Sequence, residues 1–543
     1  MVKGNANVTL QGAGSIAGTG SLNKDGEGAL NLKLENSYTG ASVIHDGVVN
    51  FQSIADGGKP SALGASIEYA QNWIWDGGKW NYTGSTASTN RCATLYKETA
   101  LGVDNSAAIL NLNGAFTGAG NFVVDGNGIV RPGSAKFFSY TGNTIVKSGT
   151  LQLEYIKNMT AKSRVYLGEE GNTSPKLVMA GGNFVTKSSN DQYLNYEFPI
   201  EVLENTYSTF TIQRNCSLKC KVTGSGTLEY KIPFVREYVS GDWSGFYGTL
   251  VANGVNSDKD GSQLMLYNSG IPNASINLKG NARVTHWNPN VTIKLGGLSG
   301  DKGTYLGGTT KKTTGQTVTW QVGNANTNET FNGVIDRRCS ASGYNCNVNI
   351  VKEGSGYWRL TGSNTYNGTT IVTGGRLIID GSNQGTGLMT IKENGSLSGK
   401  GTIAGNVVVS GSVQADLSAS GSCQPLTIKG KLTANNATLV INMEDVTSTI
   451  ADDTEIKVFN LASAIQGTGF TDILPATPSA TQLWDTSLLA TKGIIKVVSN
   501  VANGISTPSA NNTSSSAIYD LTGKKTSSPK GLYIKDGKKH IAR

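Results

Sequence analysis

The sequence predicts an all-β chain wound as a single β-solenoid with a small β tail. Three observations carry this reading: a motif that recurs at long, regular spacing, short runs of alternating apolar residues, and an excess of glycine. The stretches "ENSYTGASVIHDGVVNF" (35–51), "FFSYTGNTIVKSGTLQL" (137–153) and "SNTYNGTTIVTGGRLIID" (363–380) share a skeleton, pairing Tyr38, Tyr140 and Tyr366, then Gly40, Gly142 and Gly368, then Gly47, Gly149 and Gly375. A degenerate fourth copy, "GDWSGFYGTLVANG" (241–254), carries Trp243 where the others carry tyrosine. The aromatic positions lie 102, 103 and 123 residues apart, a spacing too regular for chance turns. A long internal period means stacked units rather than separate globular domains.

A second motif precedes each copy: "NKDGEGAL" (23–30), "VVDGNGIV" (123–130), "KVTGSGTL" (221–228) and "VKEGSGYW" (351–358). Each is Gly-x-Gly without a following helical segment, so no helix N-terminus is available to hold a phosphate, and these are turns. Within the units Leu377 and Ile379 flank Ile378, Val49 and Phe51 flank Asn50, and Leu151 and Leu153 flank Gln152. That period of two fits strands with one buried face, and glycine between the runs permits the bend that joins them. Seventy glycines in 543 residues, without a strict every-third-residue period, exclude collagen, while ample periodic apolar residues exclude disorder. With roughly 20 to 25 residues per turn, the array forms on the order of 20 turns and a rod roughly 100 Å long.

The solenoid, with super-repeats of about 100–120 residues, is expected over 1–445, and a C-terminal β segment or cap over 446–505. A Ser/Thr/Asn-rich linker (506–516) and a separate tail (517–543) follow. The chain opens "MVKGNANVTLQGAG" without an apolar signal region, and its first Gly-x-Gly turn needs an earlier turn to stack on. It therefore reads as a piece of a longer protein. No stretch of 18 apolar residues exists, so no membrane span is expected.

Six cysteines offer two pairings. Cys339 and Cys346 flank "SASGYN" and are candidates for a small-loop disulfide; Cys216 and Cys220 in "CSLKC" pair only if a turn falls between them. Metal binding competes poorly, because neither pair has C-x-x-C spacing and the histidines are only His45, His286 and His540. No metal and no cofactor are expected.

"VKEGSGYWRLTGSNTYNGTTIVTGGRLIIDG" (351–381) resembles the passenger-associated transport repeat, also called the autotransporter-associated β-strand repeat. Four further stretches are similar to segments that recur in such proteins: "DGGKWNYTGSTASTNR" (76–91), "FNGVI" (331–335), "GSLSGKGTIAGNVVVSGSV" (395–413) and "LPATPSATQLWDTSLLATKGIIKVV" (474–498). The resemblance implies a right-handed parallel β-helix outside a bacterial cell, and it carries over no catalytic residue. The tail "AIYDLTGKKTSSPKGLYIKDGKKHIAR" (517–543) resembles the C-terminal sorting segment of Bacteroidota type IX secretion. That implies export through the outer membrane, with cleavage and surface attachment or release, and the secretion machinery as partner. Twenty-seven residues cannot supply the terminal β-barrel of an autotransporter.

The tail carries seven Lys or Arg against two Asp, so only about +3 of the formal +8 belongs to the rest. A mildly basic rod points weakly to an acidic polysaccharide, and no basic patch supports nucleic-acid binding. An enzyme acting on pectin-like polymers is the rival reading. Lyase chemistry needs an acidic Ca²⁺ cluster beside a basic residue, and hydrolysis needs paired carboxylates. "VIDRRC" (334–339) offers Asp336, Arg337 and Arg338 without a second nearby acid, "ADDTE" (451–455) lies near the C-terminal end, and "THWNPN" (285–290) has His286 without a carboxylate.

The binding candidates lie in "IEYAQNWIWDGGKWNYTG" (67–84). Trp73 and Trp75 share one side of a strand, as do Trp80 and Tyr82, which suits either a flat platform for sugar rings or interior packing. Phe184 and Val185 at the corresponding place in "MAGGNFVTKSS" (179–189) favour packing. The expected function is a non-catalytic extracellular stalk or adhesin-like module, with a polysaccharide or cell-surface glycan as partner.

Overall fold

The computed structural model describes residues 1–133, 135–154, 164–165, 167, 176–187, 194–212, 216–234, 237–257, 261–267, 269–309, 315–338 and 346–500, together with 518–520, 525–526, 531–535 and 538–542. Short strands wind into a parallel β-solenoid of about 18 turns. Among the described residues the ladders that join two strands of the solenoid wall are parallel, each linking a strand to its counterpart in the next turn. Val48–Phe51 lies on Lys79–Tyr82 with Val49 opposite Trp80 and Phe51 opposite Tyr82, and Lys79–Tyr82 lies in turn on Thr99–Val103. A parallel partner one turn away is what a chain of mostly short strands joined by bends can reach without reversing.

The alternation seen in the sequence is the inside-outside alternation of the wall. Leu151, Leu377 and Ile379 are fully buried and Leu153 nearly so, while Asn31, Asn50 and Asn81 stack on the outer side. There Asn50 Nδ2 donates to Asn31 Oδ1 at 2.7 Å and Asn81 Nδ2 to Asn50 Oδ1 at 2.8 Å. The two sequence motifs meet at one corner. Gly47, Gly149 and Gly375 have φ of 71°, 67° and 59°, and a Cβ on Gly47 would lie 2.5 Å from the carbonyl oxygens of Gly26 and Gly28 in the preceding Gly-x-Gly turn. Glycine is required there by both conformation and contact.

The C-terminal end is closed by a different arrangement. Glu455–Lys457, Ile494–Ser499 and Gln482–Asp485 form an antiparallel sheet, and one short helix, Leu489–Lys492, precedes its central strand. Ile456, Ile495 and Val497 are buried in it, and Gly493 packs on Phe459 of the last turns. The tail forms a four-stranded antiparallel sheet from Ile518–Asp520, Lys525–Thr526, Gly531–Lys535 and Lys538–Ala542.

Candidate functional site

Trp73, Trp75, Trp80 and Tyr82 face the solenoid interior, with exposures of 1, 0, 0 and 3%. This corrects the sugar-platform alternative. The rings fill the cross-section with Phe51, Phe116 and Phe122: Trp73 meets Trp75 edge-on at 5.2 Å, and Trp75 stacks on Phe122 at 5.6 Å. The sequence signal was Lys79 and Asn81, which alternate with Trp80 and Tyr82 and take the wet side. The indole N–H groups of Trp73, Trp75 and Trp80 have no hydrogen-bond partner. Trp320 and Trp358 do, donating to Gly307 O and Leu298 O, each at 2.9 Å. The first three indoles therefore serve as volume.

The repeat corner contains polar contacts that the motif alone did not show. Tyr38, Tyr140 and Tyr366 are buried, and each hydroxyl bonds the side chain four residues on: Ser42 at 2.7 Å, Thr144, and Thr370 at 2.6 Å. Trp243 is also buried but has Tyr247 at that position, exposed to 66%. Lys24 and Lys352, charged residues in inward strand positions, are buried as well. Lys352 Nζ donates to the carbonyls of Glu353 (2.6 Å), Gly354 (3.3 Å) and Gly374 (3.2 Å), and Lys24 reaches Gly26 O and Asp46 O in the same way. The second repeat has Val124 instead, and Ser148 Oγ donates to Gly126 O at 2.9 Å. Each solution gives the inward carbonyls of the Gly-x-Gly turn a donor, as buried acceptors require.

Asp336 is a structural ion. Its Oδ1 accepts from Arg283 Nη1 at 2.8 Å and its Oδ2 from Arg338 Nε at 3.2 Å, while the Arg283 guanidinium lies 4.1 Å over the Tyr305 ring. Arg337 is partly exposed beside it. His286 is buried and accepts from the Asn288 backbone N–H at 3.0 Å. The candidate pair Cys339 and Cys346 cannot be placed, because Cys339 lies outside the described residues; Cys346 is buried. Cys220 is a buried free thiol that donates to Tyr196 O at 3.1 Å. Among the described residues no group of three or more His, Cys, Asp or Glu is placed to hold a metal ion.

Two of the surface clefts bear on function. The larger, about 510 Å³, lies between Arg359 and Asp445. Within it Arg359 pairs with Asp380 at 2.5 Å, and Asp416 accepts from Gln414 and Asn442. The smaller, about 480 Å³, collects Tyr247, Asn273, Ser275, Asn324 and Thr327 from turns about 80 residues apart in sequence. Sequence reasoning missed it because only stacking brings these residues together.

The Passenger-associated-transport-repeat family matches residues 22–50, 134–153 and 350–379, the three tyrosine-bearing copies. A stretch of 145 residues, 26% of this chain, is 34% identical to part of "Adhesin BmaC autotransporter" of Brucella suis biovar 1 (strain 1330), covering 4% of that protein. Another of 114 residues, 20% of the chain, is 37% identical to part of "Uncharacterized protein YuaQ" of Escherichia coli (strain K12), covering 8% of it. The chain thus aligns with small portions of much longer relatives. No helix among the described residues is long and apolar enough to cross a membrane. The chain is a parallel β-solenoid that carries passenger-associated transport repeats, the mark of secreted and cell-surface proteins.

Proposed function

We propose that the chain is a non-catalytic, cell-surface solenoid: an adhesin-like stalk that contacts glycan along its side. The observation that carries this is the parallel stack bearing passenger repeats, in a chain partly alike to a protein named as an adhesin. A rod of this kind presents stacked outer rows of polar side chains over a long surface, and repeated weak contacts along it add through avidity.

The tail is proposed as a type IX sorting segment. It follows the Ser/Thr/Asn-rich stretch 506–516 and forms its own small antiparallel sheet. Displaying the chain on cells that lack adhesion, and measuring their attachment to glycan-coated surfaces, tests the adhesin reading; attachment equal to that of undecorated cells defeats it. Release of reducing ends or unsaturated uronates from pectin or glycosaminoglycan by the purified chain would defeat the non-catalytic part. In a host with type IX secretion, deleting 517–543 should abolish surface delivery while leaving the rod's melting temperature nearly unchanged, since a solenoid's stability sums over neighbouring turns.

A further inference from the structure

Resting on the glycan-contacting reading above, we propose that the smaller cleft is a subsite for a neutral, hydroxyl-rich hexose unit of an oligosaccharide, stacked against Tyr247. Tyr247 is 66% exposed and stands at the cleft edge, although the equivalent position in the other repeats is a buried Ser or Thr bonded to the corner tyrosine. An exposed ring with an apolar face and a polar tip suits the face of a sugar.

Behind the cleft a glycine lets three polar side chains converge. Gly297 stands opposite Ser275 in the ladder. A Cβ on it would lie 2.8 Å from each of Ser275 Oγ, Thr327 Oγ1 and Glu329 Oε1. The missing side chain at Gly297 is what makes room for the Ser275, Thr327 and Glu329 side chains to meet beside the cleft.

The hydrogen bonds determine what such a ligand must offer. Ser275 Oγ donates to Glu329 Oε1 at 2.6 Å and Thr327 Oγ1 donates to the same oxygen at 2.9 Å. Asn324 Nδ2 donates to Pro272 O and to Asn273 Oδ1, at 3.1 and 2.9 Å, and Asn273 Nδ2 donates to Ser244 O at 2.8 Å. The Ser275 and Thr327 hydroxyl protons are engaged by Glu329, which leaves both oxygens and Asn324 Oδ1 as acceptors, while the Ser225, Tyr247 and Thr249 hydroxyls of the lining can donate as well as accept. Among the described residues the lining contains no Lys, Arg or His. A cleft of hydroxyl and amide groups without a basic residue, backed by the Glu329 carboxylate, suits a ligand whose hydroxyls both donate and accept, and it opposes a uronate, which brings negative charge. The loop is already in place: Ala325 N–H donates to Gly296 O at 2.9 Å, and Asn326 Oδ1 accepts from Ser355 N–H at 2.9 Å.

The test is calorimetric titration of the full chain with neutral gluco-, manno- and galacto-hexaoses, with hexagalacturonate, and with CaCl₂ alone. Tyr247→Ala and Ser225→Arg are the site variants; Ser225 is exposed at the cleft edge, so the larger side chain is accommodated. Tyr96→Ala, an exposed tyrosine elsewhere, is the control. At least one neutral hexaose should bind, weakened about tenfold or more by Tyr247→Ala through loss of ring contact and unaffected by Tyr96→Ala. No binding of any neutral hexaose, binding unchanged in both site variants, preference for the galacturonate, or Ca²⁺ binding lost in the site variants without sugar binding would each overturn the proposal. Adhesion that persists in cells displaying Tyr247→Ala leaves the surface reading standing and removes only this site.

Discussion

Replacing Tyr366 by phenylalanine tests whether the repeat's tyrosine is held for its hydroxyl or only for its ring. Tyr366, Thr370 and Asn383 are 1, 2 and 4% exposed. The phenol bonds Thr370 Oγ1 at 2.6 Å and accepts from Asn383 Nδ2 at 2.9 Å. Burial pushes its pKa up to about 12, so it keeps its proton over the working range. Asn383 Oδ1 already has no partner, and Tyr366→Phe strips the remaining bond from its side chain. Two buried groups losing a partner at ~1 kcal/mol each make the expected local cost ~2 kcal/mol, a rise of about 30-fold in the local opening equilibrium. Tyr38→Phe should cost ~1 kcal/mol or less, because Ser42 Oγ retains Leu63 O at 3.3 Å. Hydrogen exchange on peptides spanning 363–391 and 35–51 reads the two effects separately, since stacked turns open locally. Adding Thr370→Val to Tyr366→Phe should recover part of the loss, since removing both partners of a buried bond costs less than removing one. Equal exchange in Tyr366→Phe and wild type, an effect no larger than that of Tyr38→Phe, or no recovery in the double variant would refute the reasoning.

Further outcomes follow from the corners and the ion pair. Lys352→Val should destabilise its turn by ~1–2 kcal/mol, and adding Gly374→Ser, which copies the Val124 and Ser148 arrangement, should restore about half of this by hydrogen exchange. Burial, outweighing the attraction of Glu353, pushes the Lys352 pKa from 10.5 down to about 8. Between those values the unfolded chain binds more protons than the folded one, so stability should rise with pH from about 8 to 10.5, and less steeply in Lys352→Val, as measured by melting temperature. Asp336→Ala should cost ~3–5 kcal/mol by leaving the Arg283 guanidinium, 6% exposed, without its carboxylate. Arg338→Ala, at a half-exposed partner, should cost less than ~1 kcal/mol, and denaturant titration orders the two.

The sequence alone determined the winding. Tyr38, Ser42 and Gly47 lie within one short stretch, so the Tyr-x-Gly run and the glycine bend are local requirements repeated wherever a corner recurs. The spacing of those corners already implied stacked turns, because a unit that recurs at a long fixed period buries its alternating face against its neighbours. What the sequence left open were choices made across turns. Trp73 and Trp75 flank Ile74, apolar on both sides, so alternation there had no polarity to read; packing on Phe51 and Phe116 decided it. Nothing in the sequence singled out Lys352, whose ammonium finds Gly374 O only in the next turn. Asp336 meets Arg283 across 53 residues, and Ser275 meets Glu329 across 54. Such contacts depend on how many residues each intervening turn consumes, a quantity summed over insertions and bends, and only the stacked structure determines which side chains finally share a face.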